Sequence, residues 1–360
     1  MYRAFTVKNF RCFEYLSVEP LEQVNLIAGR NNVGKTALLE ALFLSYGPNN
    51  PELSLRINVF RGVRHFVANP DDTWGRLFFA GDRTQPIEIQ TLDESGRTAH
   101  LRIRLGEPTG PQETPAGGEP GEGPNGMALA STDRGSRSLV LEYEAAAGTT
   151  QVSHGSIVAD GNRLVVRSDR ADVVEVAPAV FIAARARFPA EDAGRFSRVR
   201  KSRQHDKLLD ALKLLEGRLE SVDLLLSGGQ PLIHGDIGLG ELLPLAYMGE
   251  GMGRLTSILL GIAAAEGGCL LVDEIENGFH HSVMTDVWRA IGRAAAEYRT
   301  QVFATTHSRE CIFAAHEAFK SGPRYNLAVH RLELTKNRAK AISYGRDSLE
   351  AARKKNTEIR

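Results

Sequence analysis

Cysteine is scarce: Cys12, Cys269 and Cys311 are the three in 360 residues. They are odd in number, far apart and without metal-ligand spacing. This excludes a disulfide framework or a zinc cluster and points to free thiols in a reducing cytoplasm. Net charge is also missing, because 44 Lys and Arg balance 44 Asp and Glu. No global field therefore attracts nucleic acid or an anionic membrane, and such binding would need a local patch. No window approaches the roughly 20 apolar residues that cross a bilayer. The opening MYRAFTVKNF lacks the apolar stretch of a signal peptide. A membrane-embedded chain is excluded and a cytoplasmic one expected. Repeats and sustained heptads are absent as well.

What is present is the composition of a soluble globular protein, 42% hydrophobic and 24% charged, at a length that supports one large domain with insertions. YRAFTVKNF and YLSVEPL read as antiparallel strands and QVNLIAG as a buried one. TALLEALFLSYG reads as a helix that Gly47-Pro48 stops. LFFAG, PIEIQTLD and HLRIRLG have strand character, and the pattern resumes at SLVLEYEA, QVSHGSIVA and NRLVVRS. Residues 107–137, rich in Gly, Pro and small polar residues, read as a flexible loop inside this β-rich region. Residues 204–226 read as one leucine-faced helix, and QPLIHGDIGLGELLPLAYMG as a hairpin.

Three motifs carry chemistry. Gly29-Arg30-Asn31-Asn32-Val33-Gly34-Lys35-Thr36 fits GxxxxGKS/T between an apolar strand and a helix that continues at Ala37. Its glycines let backbone amides converge on a phosphate chain, the helix N-terminus adds partial positive charge, Lys35 is expected on the β- and γ-phosphates of ATP, and Thr36 on magnesium. GCLLVDEIENG is a buried strand ending in Asp273 and Glu274 at the carboxyl edge of a parallel sheet. Asp273 is expected to hold magnesium, and Glu274 to orient the attacking water. QVFATTHS repeats the arrangement, with His307 placed to sense the γ-phosphate.

A further glycine loop, of the kind that caps a partner's γ-phosphate, has two candidates. Leu226-Ser227-Gly228-Gly229-Gln230 matches the transporter signature literally, but Pro231 and its glycines suggest a turn. Met248-Gly249-Glu250-Gly251-Met252-Gly253 leads directly into RLTSILLGIAAAE, a good helix, and is preferred. Glu250 beside a phosphate is unfavourable, so it is expected to turn away or contact its own helix.

FTVKNFRCF, VNLIAGRNNVGKTALLEALF, MGEGMGRL, LLVDEIENGFHHS, ATTHS and the closing EIR together resemble the OLD-like (overcoming-lysogenization-defect) branch of ABC-type ATPases. RecF and the SMC-type repair ATPases are more distant relatives. The resemblance covers both ends and most of the second half. It implies an α/β P-loop NTPase, an ABC-ATPase-like head with an N-terminal antiparallel β subdomain, a β-rich insertion over 50–180, a basic and helical or hairpin insertion over 185–247, and the signature, acidic and histidine motifs over 248–360. It also implies a head-to-tail homodimer around two ATP molecules. Lys35, Thr36, Asp273, Glu274 and His307 would act in cis and Gly249–Gly253 in trans. Glu276, Asn277, Gly278 and His280 would form a D-loop facing the opposite subunit. Several such proteins are subunits of bacterial anti-phage systems, so the implied role is an ATP-gated regulator of a separate effector, a nuclease or toxin. The clustered acids of a Toprim domain are missing from the short tail after His307, as are long coiled-coil arms.

Arg185, Arg187, Arg195, Arg198, Arg200, Lys201, Arg203 and Lys207 form a basic stretch, partly offset by Glu191, Asp192 and Asp206. It reads as a contact for DNA or RNA phosphates, or as a solvated loop or a patch for an acidic partner. The alternatives to the regulator are a RecF-like repair ATPase that clamps DNA and an interaction module that binds ATP without turnover.

Overall fold

The computed structural model describes all residues except 64–69, 108–136, 146–147, 161–162, 171–175, 186–187, 323, 336–337, 356 and 360. The flexible-loop reading of 107–137 thus lies almost wholly outside the described residues, as does the expectation for Arg187.

The strands are β1 (Tyr2–Phe10), β2 (Phe13–Val18), β3 (Val24–Ala28), β4 (Ile87–Asp93), β5 (Thr98–Leu105), β6 (Leu139–Glu144), β7 (Thr150–Asp160), β8 (Arg163–Arg170), β9 (Ala179–Ile182), β10 (Ser221–Ser227), β11 (Gln230–Asp236), β12 (Leu243–Pro244), β13 (Cys269–Val272), β14 (Gln301–Thr305), β15 (Leu327–Thr335) and β16 (Arg338–Tyr344). The helices are α1 (Lys35–Ser45), α2 (Leu53–Phe60), α3 (Pro70–Trp74), α4 (Pro189–Lys201), α5 (His205–Leu212), α6 (Glu250–Ala264), α7 (Met284–Glu297), α8 (Arg309–Lys320) and α9 (Arg346–Lys354).

Two large sheets face each other across α1. The first runs β16-β15-β3-β14-β13-β9, parallel except for the β15–β16 hairpin. Its central strands VNLIA, QVFAT and CLLV are buried along their whole length, as parallel strands covered on both faces must be. Val24, Leu26, Leu270, Val272, Val302 and Ala304 share a core with α6, α7 and α8. Ile27, Phe181, Leu271 and Phe303 on the opposite face share the second core, which includes α1.

The second sheet is antiparallel, in the order β2-β1-β4-β5-β6-β7-β8. Phe5, Val7, Ile87, Ile89, Leu101, Ile103, Leu139 and Leu141 alternate inward onto α1. The outer face carries a cross-strand charge ladder, Lys8–Glu88–Arg102 and Arg104–Glu142. The opening strands and the β-rich segment form one continuous sheet.

Lying between two sheets, α1 is apolar almost all round. Its exception is Glu40, fully buried, whose carboxylate accepts from Arg11 at 3.2 Å and from Arg61 at 3.0 Å. Arg11 leaves the β1–β2 turn and also donates to Asn58 of α2 at 2.8 Å. A carboxylate buried at this depth persists because both of its oxygens are paired with guanidinium groups.

Two elements differ from expectation. The helix over 204–226 is instead α5 followed, after a turn, by β10. Leu208 and Leu212 keep the helical stripe, but Glu216 closes a turn by accepting the Arg218 amide at 3.1 Å, and Leu224-Leu225 pairs with Leu232-Ile233. LFFAG is not a strand: it forms short 3-10 turns, with Phe78 alone bridging to Phe10. The expected hairpin is present as β11–β12, to which β10 adds a third strand.

Candidate functional site

The register of the parallel sheet builds the site. β14 lies between β3 and β13, so the loop after Ala28, the acids after Val272 and the Thr305–His307 segment emerge side by side at one carboxyl edge. The phosphate loop crosses from β3 to α1, with Gly34 as N-cap at φ 99°. A side chain there would be strained, and its Cβ would lie 2.6 Å from Cys12 Sγ and from the Phe13 ring. Asn32 also adopts a left-handed conformation, at φ 64°, which asparagine tolerates better than most residues. Asn31, Asn32 and Val33 form the turn itself, and Ala37 is buried in the first turn of α1.

Lys35 Nζ donates to the carbonyls of Gly29, at 2.7 Å, and Arg30, at 2.9 Å. Burial pulls its ammonium below the ordinary lysine range, and the nearby Asp273, Glu276 and Glu274 carboxylates oppose that. Thr36 Oγ1 lies 3.0 and 3.1 Å from the two Asp273 oxygens. Thr305 Oγ1 donates to Asp273 at 2.6 Å and accepts the Glu274 amide at 2.8 Å. Burial raises the Asp273 carboxyl above the usual range, the Thr305 and Thr36 hydroxyls countering it. Glu274 stands at φ 50°, a conformation uncommon for a side chain of its size. Its carboxylate accepts from Asn277 Nδ2 at 2.9 Å.

The two glycine-loop candidates separate clearly. Gly228 and Gly229, at φ 56° and 77°, form the two-residue tip of the β10–β11 hairpin, between paired Ser227 and Gln230. LSGGQ starts no helix. Gly249, at φ 110°, caps α6, and a Cβ there would meet nothing within 4 Å. Gly251 packs directly on the turn after the acids: its added Cβ would sit 2.6 Å from the Gly278 carbonyl oxygen. Glu250 lies against Gly278 too: a Cβ added at Gly278 would sit 2.7 Å from its Cγ. Gly253, one turn into α6, precedes Arg254.

Arg254 carries no distinguishing signal in the sequence, yet it joins the two halves. Buried at 5% exposure, its guanidinium donates to the carbonyls of Ala183 at 2.7 Å, of Asp273, and of Glu274 at 3.2 Å. Thr305 is a second organiser that apolar patterning marks only as a strand end. In the expected D-loop, Asn277 and Glu276 turn onto their own chain, while His280 is exposed.

In the basic stretch, Arg195 pairs with Glu191 and Asp192, Arg200 with Asp223, and Lys207 with Glu297. Arg185 is exposed beyond β9. Among the described residues, no group of three or more His, Cys, Asp or Glu is placed to hold a metal ion, and no helix is long and apolar enough to cross a membrane.

A strand-loop-helix phosphate cradle facing an acidic strand end, in a sheet of this order, defines a P-loop ATPase of the AAA class. The family described as "AAA domain, putative AbiEii toxin, Type IV TA system" matches residues 24–310, and the chain belongs to it. An ATP/GTP phosphatase of Helicobacter pylori is 21% identical over 337 residues, 87% of this chain and 86% of that one. Among solved structures, an SMC head bound to the C-terminal winged-helix domain of ScpA is 14% identical with a TM-score of 0.54, covering 98% of this chain and 99% of that one. The Smc head domain with an extended coiled coil, bound to the C-terminal domain of ScpA from Pyrococcus furiosus, is 11% identical with a TM-score of 0.50, over 99% of both chains. These two likenesses establish the fold.

Proposed function

We propose that the chain is an OLD-like ATPase subunit that hydrolyses ATP, dimerises around it and regulates a separate effector in bacterial anti-phage defence. The observation that carries the reading is the contact of Thr36 with Asp273, which joins the phosphate loop to the acidic strand end. The donor set fits magnesium: a hydroxyl and a carboxylate are hard oxygen ligands, and they already converge. Thr36 and Asp273 would hold the ion, which when bound neutralises charge on the β- and γ-phosphates. Lys35 exchanges the carbonyls of Gly29 and Arg30 for phosphate oxygens. Glu274 orients the attacking water and His307 meets the γ-phosphate. Gly249–Gly253, at the head of α6, cap the γ-phosphate of a second copy.

The name of the Helicobacter pylori relative supports nucleotide hydrolysis, and the family description supports a link to an effector system. The RecF-like alternative draws on the basic stretch, and the pairing of Arg195, Arg200 and Lys207 with carboxylates weighs against it. Phosphate release and light scattering, with ATP and magnesium, test the proposal in wild type and Glu274→Gln. Turnover by wild type and a trapped ATP-bound dimer in the variant are expected. Unchanged turnover in Glu274→Gln, or a monomer throughout, would sink the reading. Salt-sensitive DNA binding by the purified protein would favour the clamp.

A further inference from the structure

We infer that Glu276 is a positioning residue that fixes the tautomer of His307, leaving Nε2 as the ring nitrogen available to the nucleotide or its attacking water. The consequence for turnover rests on the function proposed above; the tautomer itself does not.

One oxygen of Glu276, Oε1, gathers three groups from the end of β14. It accepts from Thr306 Oγ1 at 2.9 Å and from the His307 amide at 2.8 Å, and it lies 3.0 Å from His307 Nδ1. An oxygen lone pair this close to Nδ1 is repelled by a bare ring nitrogen and attracted by a protonated one, so the contact favours the hydrogen on Nδ1. When one ring nitrogen is held this way, the other is left with the remaining chemistry, and ring orientation is set too. In the neutral ring Nε2 is then a bare acceptor, suited to a water hydrogen. With a second proton it becomes a donor to a phosphoryl oxygen.

The anchor is firm where the histidine is not. Glu276 has a side-chain exposure of 12%, against 53% for His307. Thr306 Oγ1 also accepts the Ser308 amide at 3.0 Å, and Ser308 Oγ caps α8 by accepting the Cys311 amide at 3.1 Å. The segment from β14 to α8 is thus tied to Glu276 through main chain, hydroxyl and ring. β14 pairs with β3, so the segment after β14 leaves the sheet beside the phosphate loop.

Nitrogen-15 NMR of histidine-labelled protein, with His307→Gln to assign the signal, reads the tautomer directly. Wild type is expected to carry its proton on Nδ1, and Glu276→Ala to shift it toward Nε2. Glu276→Gln, which keeps an acceptor oxygen, is expected to retain Nδ1–H. In kinetics, Glu276→Ala is expected to lower kcat roughly tenfold or more with little change in KM for ATP. In a His307→Ala background the same substitution is expected to change kcat by less than about twofold, because both residues act through one ring. Wild type with its proton on Nε2 overturns the inference, even where Glu276→Ala fails to fold. An equal loss from Glu276→Ala in both backgrounds overturns it as well. Absence of turnover in wild type would sink the proposed function instead, with the tautomer still deciding this inference.

Discussion

At the phosphate loop, Lys35 rests on the carbonyls of Gly29 and Arg30, Thr36 on Asp273, and Asp273 on Thr305. At Gly249 the backbone meets open space, and Tyr247 just before it is 81% exposed. One half of the candidate site is thus assembled by tertiary contacts of a single chain, and the other is presented outward on a helix N-terminus. Preorganised groups lose little on binding a ligand, whereas an open loop gains its contacts only when another surface arrives. The link between the halves is rigid, since Arg254 and the Gly251–Gly278 approach hold α6 against the acidic turn.

Substitutions in the two halves should therefore separate catalysis, binding and association. The largest effect is expected from Glu274→Gln, a loss of about 1000-fold in kcat with ATP binding retained, measured by phosphate release and calorimetry. Glu40→Ala should cost about 3 kcal/mol in denaturant unfolding, because the Arg11 guanidinium, 13% exposed, loses its carboxylate partner. Lys35→Ala should weaken ATP binding roughly a hundredfold by calorimetry, leaving the unfolding midpoint unmoved. The smallest effect should fall on the open side. Gly249→Ala strains a positive φ at about 1–2 kcal/mol, so ATP-driven dimerisation should weaken roughly tenfold in sedimentation while the monomer keeps its ATP affinity. Equal losses of ATP affinity in Lys35→Ala and Gly249→Ala would erase the distinction between the halves.

Much of this arrangement was legible in the sequence because the chemistry is local. The apolar runs VNLIA, CLLV and QVFAT each end in the residues that meet at the edge, and run-plus-terminus is a short-range signal. MGEGMG is preferred over LSGGQ because an apolar helical segment comes directly after it, and the structure has α6 there and a hairpin tip at LSGGQ. Long-range pairings were hidden. Glu40 reads as an ordinary helix glutamate until Arg11 and Arg61 arrive from other elements. Glu276 gave no sign of reaching back to His307. The leucines of 204–226 fit a helical stripe, and the β10–β11 ladder, fixed by partners later in the chain, overrides that preference.

The Arg11–Glu40–Arg61 cluster has a mechanical side. Arg11 stands where the antiparallel sheet turns, and Glu40 lies in the helix that opens with Lys35, so the sheet grips that helix by a charged hinge pin buried in apolar surroundings. The strand pair that supplies Arg11 and the helix that presents Lys35 and Thr36 are thereby locked in one orientation, so the phosphate cradle inherits its footing from the antiparallel sheet.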